Sequence, residues 1–334
     1  MNLRQLLGVA AGVAAFGLQA QAPKQDRLLV VVNRAPEQVS LFKVEGTNLT
    51  LAKKLPVGKT PRELCVSPDG KRAYVSAQEG NSVTVVDLDA MMLSATITPA
   101  DLKSPDGCVV SPDSKKLYVV AMGRDSVFVV STSDHKVQKE IPLPLKVPRR
   151  IVYTPDQKRL FVGCNQTPEI AVIDGATDSV VRTFKVGNEA RGGLAFTPDG
   201  KTFLVGNVED DTVSWVDMDS FAVKKVMGVP ISPQRIEVSK DGEYAYVLTR
   251  MGTRDAGAEA RATLFAMPLK QKHDASRTVP LGKAPWGLAM NSEGTLLYAS
   301  NNGDDNVLVI DTATLKVVND VKVGKDPNGI AFRP

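Results

Sequence analysis

The chain has 334 residues, of which 43% are hydrophobic and 23% charged, and a formal net charge of +4. That composition excludes a disordered chain and leaves ample apolar material for a folded core. The charge falls to +3 once Arg4 departs with the leader described next, too little to imply nucleic acid or an acidic membrane surface by itself.

Residues 1–22, MNLRQLLGVAAGVAAFGLQAQA, join a short head carrying Arg4 to an apolar run from Leu6 to about Leu18 and an Ala20-x-Ala22 end. This is the pattern of a secretory signal cleaved after Ala22, and it predicts a periplasmic or secreted domain over 23–334. The run is too short for a comfortable membrane span, and no later segment approaches about 18 uninterrupted apolar residues. The mature chain is therefore expected to insert in no membrane, and to be a monomer.

After the leader, RLLVVVN, QVSLFKVE and NLTLAKKLPVG read as three strands. From residue 60 a unit then recurs, first as TPRELCVSPDGKRAYVSA. Its turn falls at Pro68, Pro112, Pro155, Pro198, Lys240, Ser292 and Pro334, with spacings of 44, 43, 43, 42, 52 and 42. Between turns apolar residues alternate, as in Leu64-Val66, Ala73-Val75 and Val83-Val85, so each unit predicts four short strands. A period of about 40 to 45 residues built from four strands describes propeller blades. The last unit, PNGIAFRP, holds only a first strand, and the amino terminus supplies strands two to four without a first. The expected fold is thus all-β: a seven-bladed β-propeller of four-stranded antiparallel blades, closed by pairing the C-terminal strand with the N-terminal ones.

The unit V-G-x-x-P-x-x-L-x-V-S-P-D-G-K-x-x-Y-V-x-N, seen in SPDGKRAYVSA, TPDGKTFLVGN and NSEGTLLYASN, resembles the YVTN-repeat family of bacterial and archaeal propellers over residues 27 to 334. Asp87, Asp174, Asp217 and Asp311 match the aspartate of that motif after the third strand. The resemblance implies the propeller and no single activity, because lactonases and the propeller domains of copper and haem enzymes share this general class. The residues present in every unit read as structural. Proline presets one backbone angle of the S-P-D-G turn, aspartate accepts local backbone hydrogen bonds, and glycine permits a positive φ.

Function is expected where the units differ. Six and five positions before the turn proline, leading into the innermost strand, the pairs are Arg62-Glu63, Asp106-Gly107, Arg149-Arg150, Gly192-Gly193, Gln234-Arg235, Trp286-Gly287 and Asn328-Gly329, with Arg191 just outside the fourth. In a propeller these converge on one mouth of the channel. Arg62, Arg149, Arg150, Arg191 and Arg235 then offer forked donors to a carboxylate or phosphate, with Trp286 as a stacking surface and Asn328 beside them. Alternatively, the arginines pair with Glu63, Asp106, Glu189 and Asp326. The long spacing places an insertion at 249–264, TRMGTRDAGAEARATL, over the same mouth as a lid, a docking element or a tolerated loop.

Catalytic constellations are poor. His135 and His273 fall near outer connections of different blades, so a histidine metal cluster or triad is not expected. A metal held by Glu63, Asp106 and Asn328 would be opposed by the arginines, and no cofactor is implied. Of the three cysteines, Cys65, Cys108 and Cys164, none forms a framework, and buried thiols are expected. Cys65 and Cys108 lie on corresponding strands of neighbouring units, one position out of register, which leaves a bridge between them open.

The reading reached from sequence is an exported, non-enzymatic propeller that binds a partner protein or a small anionic ligand at the channel mouth. One alternative is a lactonase-like hydrolase, with an arginine stabilising oxyanion charge and Glu63 or Asp106 handling a proton. The other is single-stranded nucleic-acid binding on arginine and aromatic side chains.

Overall fold

A computed structural model describes residues 27–250, 262–270 and 276–333. The expected leader, residues 251–261 of the insertion and His273 lie outside the described residues. Among the described residues no helix is long and apolar enough to cross a membrane.

Seven four-stranded antiparallel sheets follow one another in chain order. Blade 1 is made of Leu28–Asn33, Gln38–Glu45 and Asn48–Pro56, with Pro327–Phe332 from the far end of the chain as its inner strand. The other inner strands are Pro61–Val66, Pro105–Val110, Pro148–Tyr153, Leu194–Phe196, Pro233–Val238 and Pro285–Met290, for blades 2 to 7. Each touches the inner strand on either side of it, so the ring is closed. The predicted closure is observed: Leu29 pairs with Phe332, Val30 with Ala331 and Val31 with Ile330.

The alternation of apolar residues along each strand sends side chains to both faces of its sheet, and both faces are covered by neighbouring blades. The core is accordingly divided into seven apolar clusters, one between each adjacent pair of blades, from Leu28, Val30, Ala73 and Val75 between blades 1 and 2 to Leu29, Val31, Tyr298 and Val309 between blades 7 and 1. No face of a middle strand is left for water, which explains unbroken apolar runs such as LLVVV.

The turns do what their chemistry predicts. Asp69 Oδ1 accepts from Ser67 Oγ at 2.6 Å and from the Lys71 amide at 3.0 Å, and Gly70 takes φ 68°. The same arrangement returns at Asp156, Asp199 and Asp241. Asp87, Asp174, Asp217 and Asp311 each accept an amide three residues on, at 2.7 to 2.9 Å, and so cap the turn into the outer strand. Side-chain and backbone donors there hold the carboxyls of Asp174, Asp217 and Asp311 below the usual range.

Candidate binding site at the channel mouth

Each inner strand except that of blade 5 opens with a proline, and in each of these six strands the pairing register slips just after it. A bulge adds a residue to one strand and re-aims its side chains. The slipped residues are Arg62-Glu63, Asp106-Gly107, Arg149, Gln234, Trp286 and Asn328-Gly329, the positions at which the units differ. The residue ahead of each of these prolines, from Thr60 to Asp326, is left-handed, with φ between 48° and 61°. The loop after the second strand joins this face: the Gln78 amide donates to Thr60 O, Asn165 to Val147 O, and Arg250 to Ser232 O.

Glu63 is the hub. Its Oε1 accepts from Arg235 Nη2 at 2.6 Å and Trp286 Nε1 at 3.0 Å, and lies 2.9 Å from Arg150 Nη1; its Oε2 accepts from Arg235 at 2.8 Å. Donors from blades 4, 6 and 7 thus meet one carboxylate from blade 2. Asp106 lies 2.8 Å from Arg149 Nε and 3.9 Å from Arg62 Nε, but neither of its oxygens is in an aligned hydrogen bond. Burial pushes the Asp106 carboxyl up, against the pull of Arg149. Burial also lowers Arg62, and brings Arg149 down to about 10, with Arg62, Arg150 and Arg191 repelling it further.

The guanidinium of Arg62 lies 4.6 Å from the Trp286 ring centroid and that of Arg250 lies 5.7 Å from it. Trp286, expected as a stacking surface for a ligand, lies against the protein's own cations. Asn328 is buried with its Nδ2 unpartnered, and so are the Nε atoms of Arg62 and Arg150. Arg191 stands slightly apart, its Nη2 3.0 Å from Glu189, and Asp326 lies 3.8 Å from Arg34.

The structure thus brings Arg62, Arg149, Arg150, Arg235, Trp286 and Asn328 together, as expected from the repeat, and engages most of their charge internally. Glu63 as their common acceptor is the feature that the spacing alone did not show. Arg250, Gln78 and Gln234 also belong to the site. Gln78 Oε1 accepts from Arg62 Nη1 at 3.3 Å, and Gln234 is buried at the same level. His135 lies in an outer turn, its amide bonded to Ser131 O. No group of three or more histidine, cysteine or acidic residues suited to a metal occurs among the described residues.

Comparison with known proteins supports the fold and finds one family model that matches part of the chain. A family model described as lactonase, 7-bladed beta-propeller, matches residues 20–110, from before blade 1 through the inner strand of blade 3. A search of curated proteins gave no match. Among solved structures, the chain is similar to Kuenenia stuttgartiensis hydrazine synthase, with TM-score 0.72 and 23% identity over 82% of this chain and 90% of that one. A functionally unknown protein from Desulfotomaculum acetoxidans DSM 771 gives TM-score 0.75 and 17% identity over 91% and 98%. Dihydro-heme d1 dehydrogenase NirN in complex with DHE gives 0.68 and 16% over 93% and 78%. At such identities the likeness is one of fold.

Proposed function

We propose that this propeller is a binding protein whose channel mouth takes a small anion that also carries a hydroxyl group, such as a hydroxy acid. One observation carries the reading: four guanidinium groups surround only two carboxylates in a largely buried cluster, leaving positive charge without a counter-ion. Buried charge is costly unless paired, so an anion entering here gains more than it would at an open surface. The donors without a hydrogen bond are Arg62 Nε, Arg150 Nε and Asn328 Nδ2, and the Asp106 oxygens, though ion-paired with Arg149, accept no aligned hydrogen bond. A carboxylate or phosphate would satisfy the donors and a hydroxyl the acceptors.

The test is calorimetric titration with malate, succinate and inorganic phosphate. Malate should bind most tightly, with affinity falling as salt is added. Arg62→Gln is the informative variant because Arg62 stands 3.9 Å from Asp106, leaving Arg149 as that carboxylate's close partner after the change. Losing a charge-assisted bond of about 1.5–3 kcal/mol weakens binding about 10- to 100-fold. Equal affinity in the variant, or no binding of any of the three anions, would reject the site.

The family match over residues 20–110 favours a second reading, lactonase-like hydrolysis, because it spans Arg62, Glu63 and Asp106. Glu63 has both oxygens occupied, so Asp106 is the carboxyl placed to move a proton. A hydroxy acid is what opening a lactone releases, and the two readings therefore share one ligand chemistry. Lactone turnover that disappears in Asp106→Asn selects catalysis; binding without turnover selects the first reading.

A further inference from the structure

We propose that Cys65 and Cys108 form a dithiol–disulfide couple in the wall of the channel, two residues below Glu63 and Asp106. Side chains alternate along a strand, so residues at the same position of neighbouring inner strands turn to different blade interfaces. Cys65 is three residues before its turn proline and Cys108 is four before its own. That one-residue offset turns both to the interface between blades 2 and 3, where they pack on one apolar cluster containing Tyr74, Val119 and Ala121. Cys108 Sγ donates to Tyr74 O at 3.5 Å, and Tyr74 is the residue paired with Cys65 across blade 2, so the Cys108 thiol reaches the backbone beside Cys65. Both cysteines are half-buried, whereas Cys164 is buried and sits in the interface between blades 3 and 4; all three are free in this structure.

The chemistry is exchange with a small disulfide such as oxidised glutathione. The Cys65 thiolate attacks that disulfide, forming a mixed disulfide and releasing one glutathione thiolate. The Cys108 thiolate then attacks Cys65 Sγ, closing the Cys65–Cys108 bond and releasing the second glutathione. Two protons leave the protein thiols, and the two electrons end on glutathione. Burial, Cys65 and the carboxylates of Glu63 and Asp106 all hold the Cys108 thiol well above the usual range, so closure is slow and speeds up as pH rises. The bond would tie together the two inner strands that carry Glu63 and Asp106.

The full chain, reduced and then treated while folded with oxidised glutathione, is denatured, alkylated and mapped by mass spectrometry. The expected result is a Cys65–Cys108 linked peptide with Cys164 alone alkylated. Cys164→Ser should leave no alkylatable thiol, and Cys65→Ser should leave Cys108 alkylatable or carrying glutathione. The proposal is overturned if all three thiols remain alkylatable, if glutathione stays on Cys65 or Cys108 without a link, or if links to Cys164 are equally abundant.

Discussion

Glu63 and Glu237 are both glutamates of inner strands, and their neighbours make them different acids. Glu63 is wrapped by Arg150, Arg235 and Trp286. Glu237, three positions before the turn of blade 6, stands where the other blades place Cys65, Val109, Val152, Ala195, Ala289 and Ala331. Lys240 is the one charge that favours its ionised form, and burial pushes its carboxyl up from 4.5 to about 7. A folded-state value above the unfolded one means that the native protein holds the proton more tightly between those pH values. The associated stability is complete below pH 4.5 and is lost as pH rises through 7. Glu237 retains some exposure, so the loss is discounted from the full shift to about 1–2 kcal/mol. Urea unfolding of the wild type should show this decline between mildly acidic and mildly alkaline pH, and Glu237→Gln should remove it. Parallel curves for the two proteins would disprove the assignment.

At the scale of the strand, glycine and charge alternate around the channel. Five positions before the turn, blades 2, 4 and 6 carry Glu63, Arg150 and Arg235, whereas blades 3, 5, 7 and 1 carry Gly107, Gly193, Gly287 and Gly329. The glycines let adjoining inner strands approach: a Cβ on Gly193 would lie 2.1 Å from Ile236 N and 2.4 Å from its Cγ1, and one on Gly107 would lie 2.4 Å from Arg149 O. With seven blades strict alternation must fail once, and it fails between blades 7 and 1, where Trp286 stands one residue before its glycine. Gly193→Ala should therefore force blades 5 and 6 apart and cost about 3 kcal/mol or more. Gly228→Ala, with nothing within 4 Å of the added carbon, should be close to neutral. Equal denaturation midpoints for the two variants would show that the inner strands are not held this tightly. Strands and turns were legible in the sequence because alternation and S-P-D-G chemistry are local. Glu63, Asp106 and Glu189 were legible as alternative partners of the arginines, but which arginine meets which was not, because Glu63 and Arg235 are 172 residues apart and meet only through the closed ring and the bulges that re-aim them.

For the whole molecule the decisive element is the strand that closes the ring, and it was legible because the two ends of the repeat complete each other. Pro327–Phe332 together with Arg333 after it serves three blades at once. It pairs with Leu28–Asn33 of blade 1, the Asn328 carbonyl accepts from Ser300 Oγ of blade 7 at 2.6 Å, and buried Arg333 reaches Leu88 O and Asp89 of blade 2. Without it blade 1 would have three strands, and Leu29, Val30 and Val31 would lose their inner neighbours and expose an edge to other chains. Because every apolar cluster lies between blades, losing this strand also takes Ile330 and Phe332 out of the cluster between blades 7 and 1. Deleting residues 324–334 should lower stability by more than about 5 kcal/mol, a fall in melting temperature on the order of 10 °C or more for a chain of this size. A synthetic peptide of residues 324–334 offers the same edge in trans and should restore part of the loss by strand addition. An unchanged melting temperature in the truncated protein would mean that the ring does not depend on its closing strand; a fall that the peptide leaves uncorrected would mean that the strand acts only when tethered to blade 7.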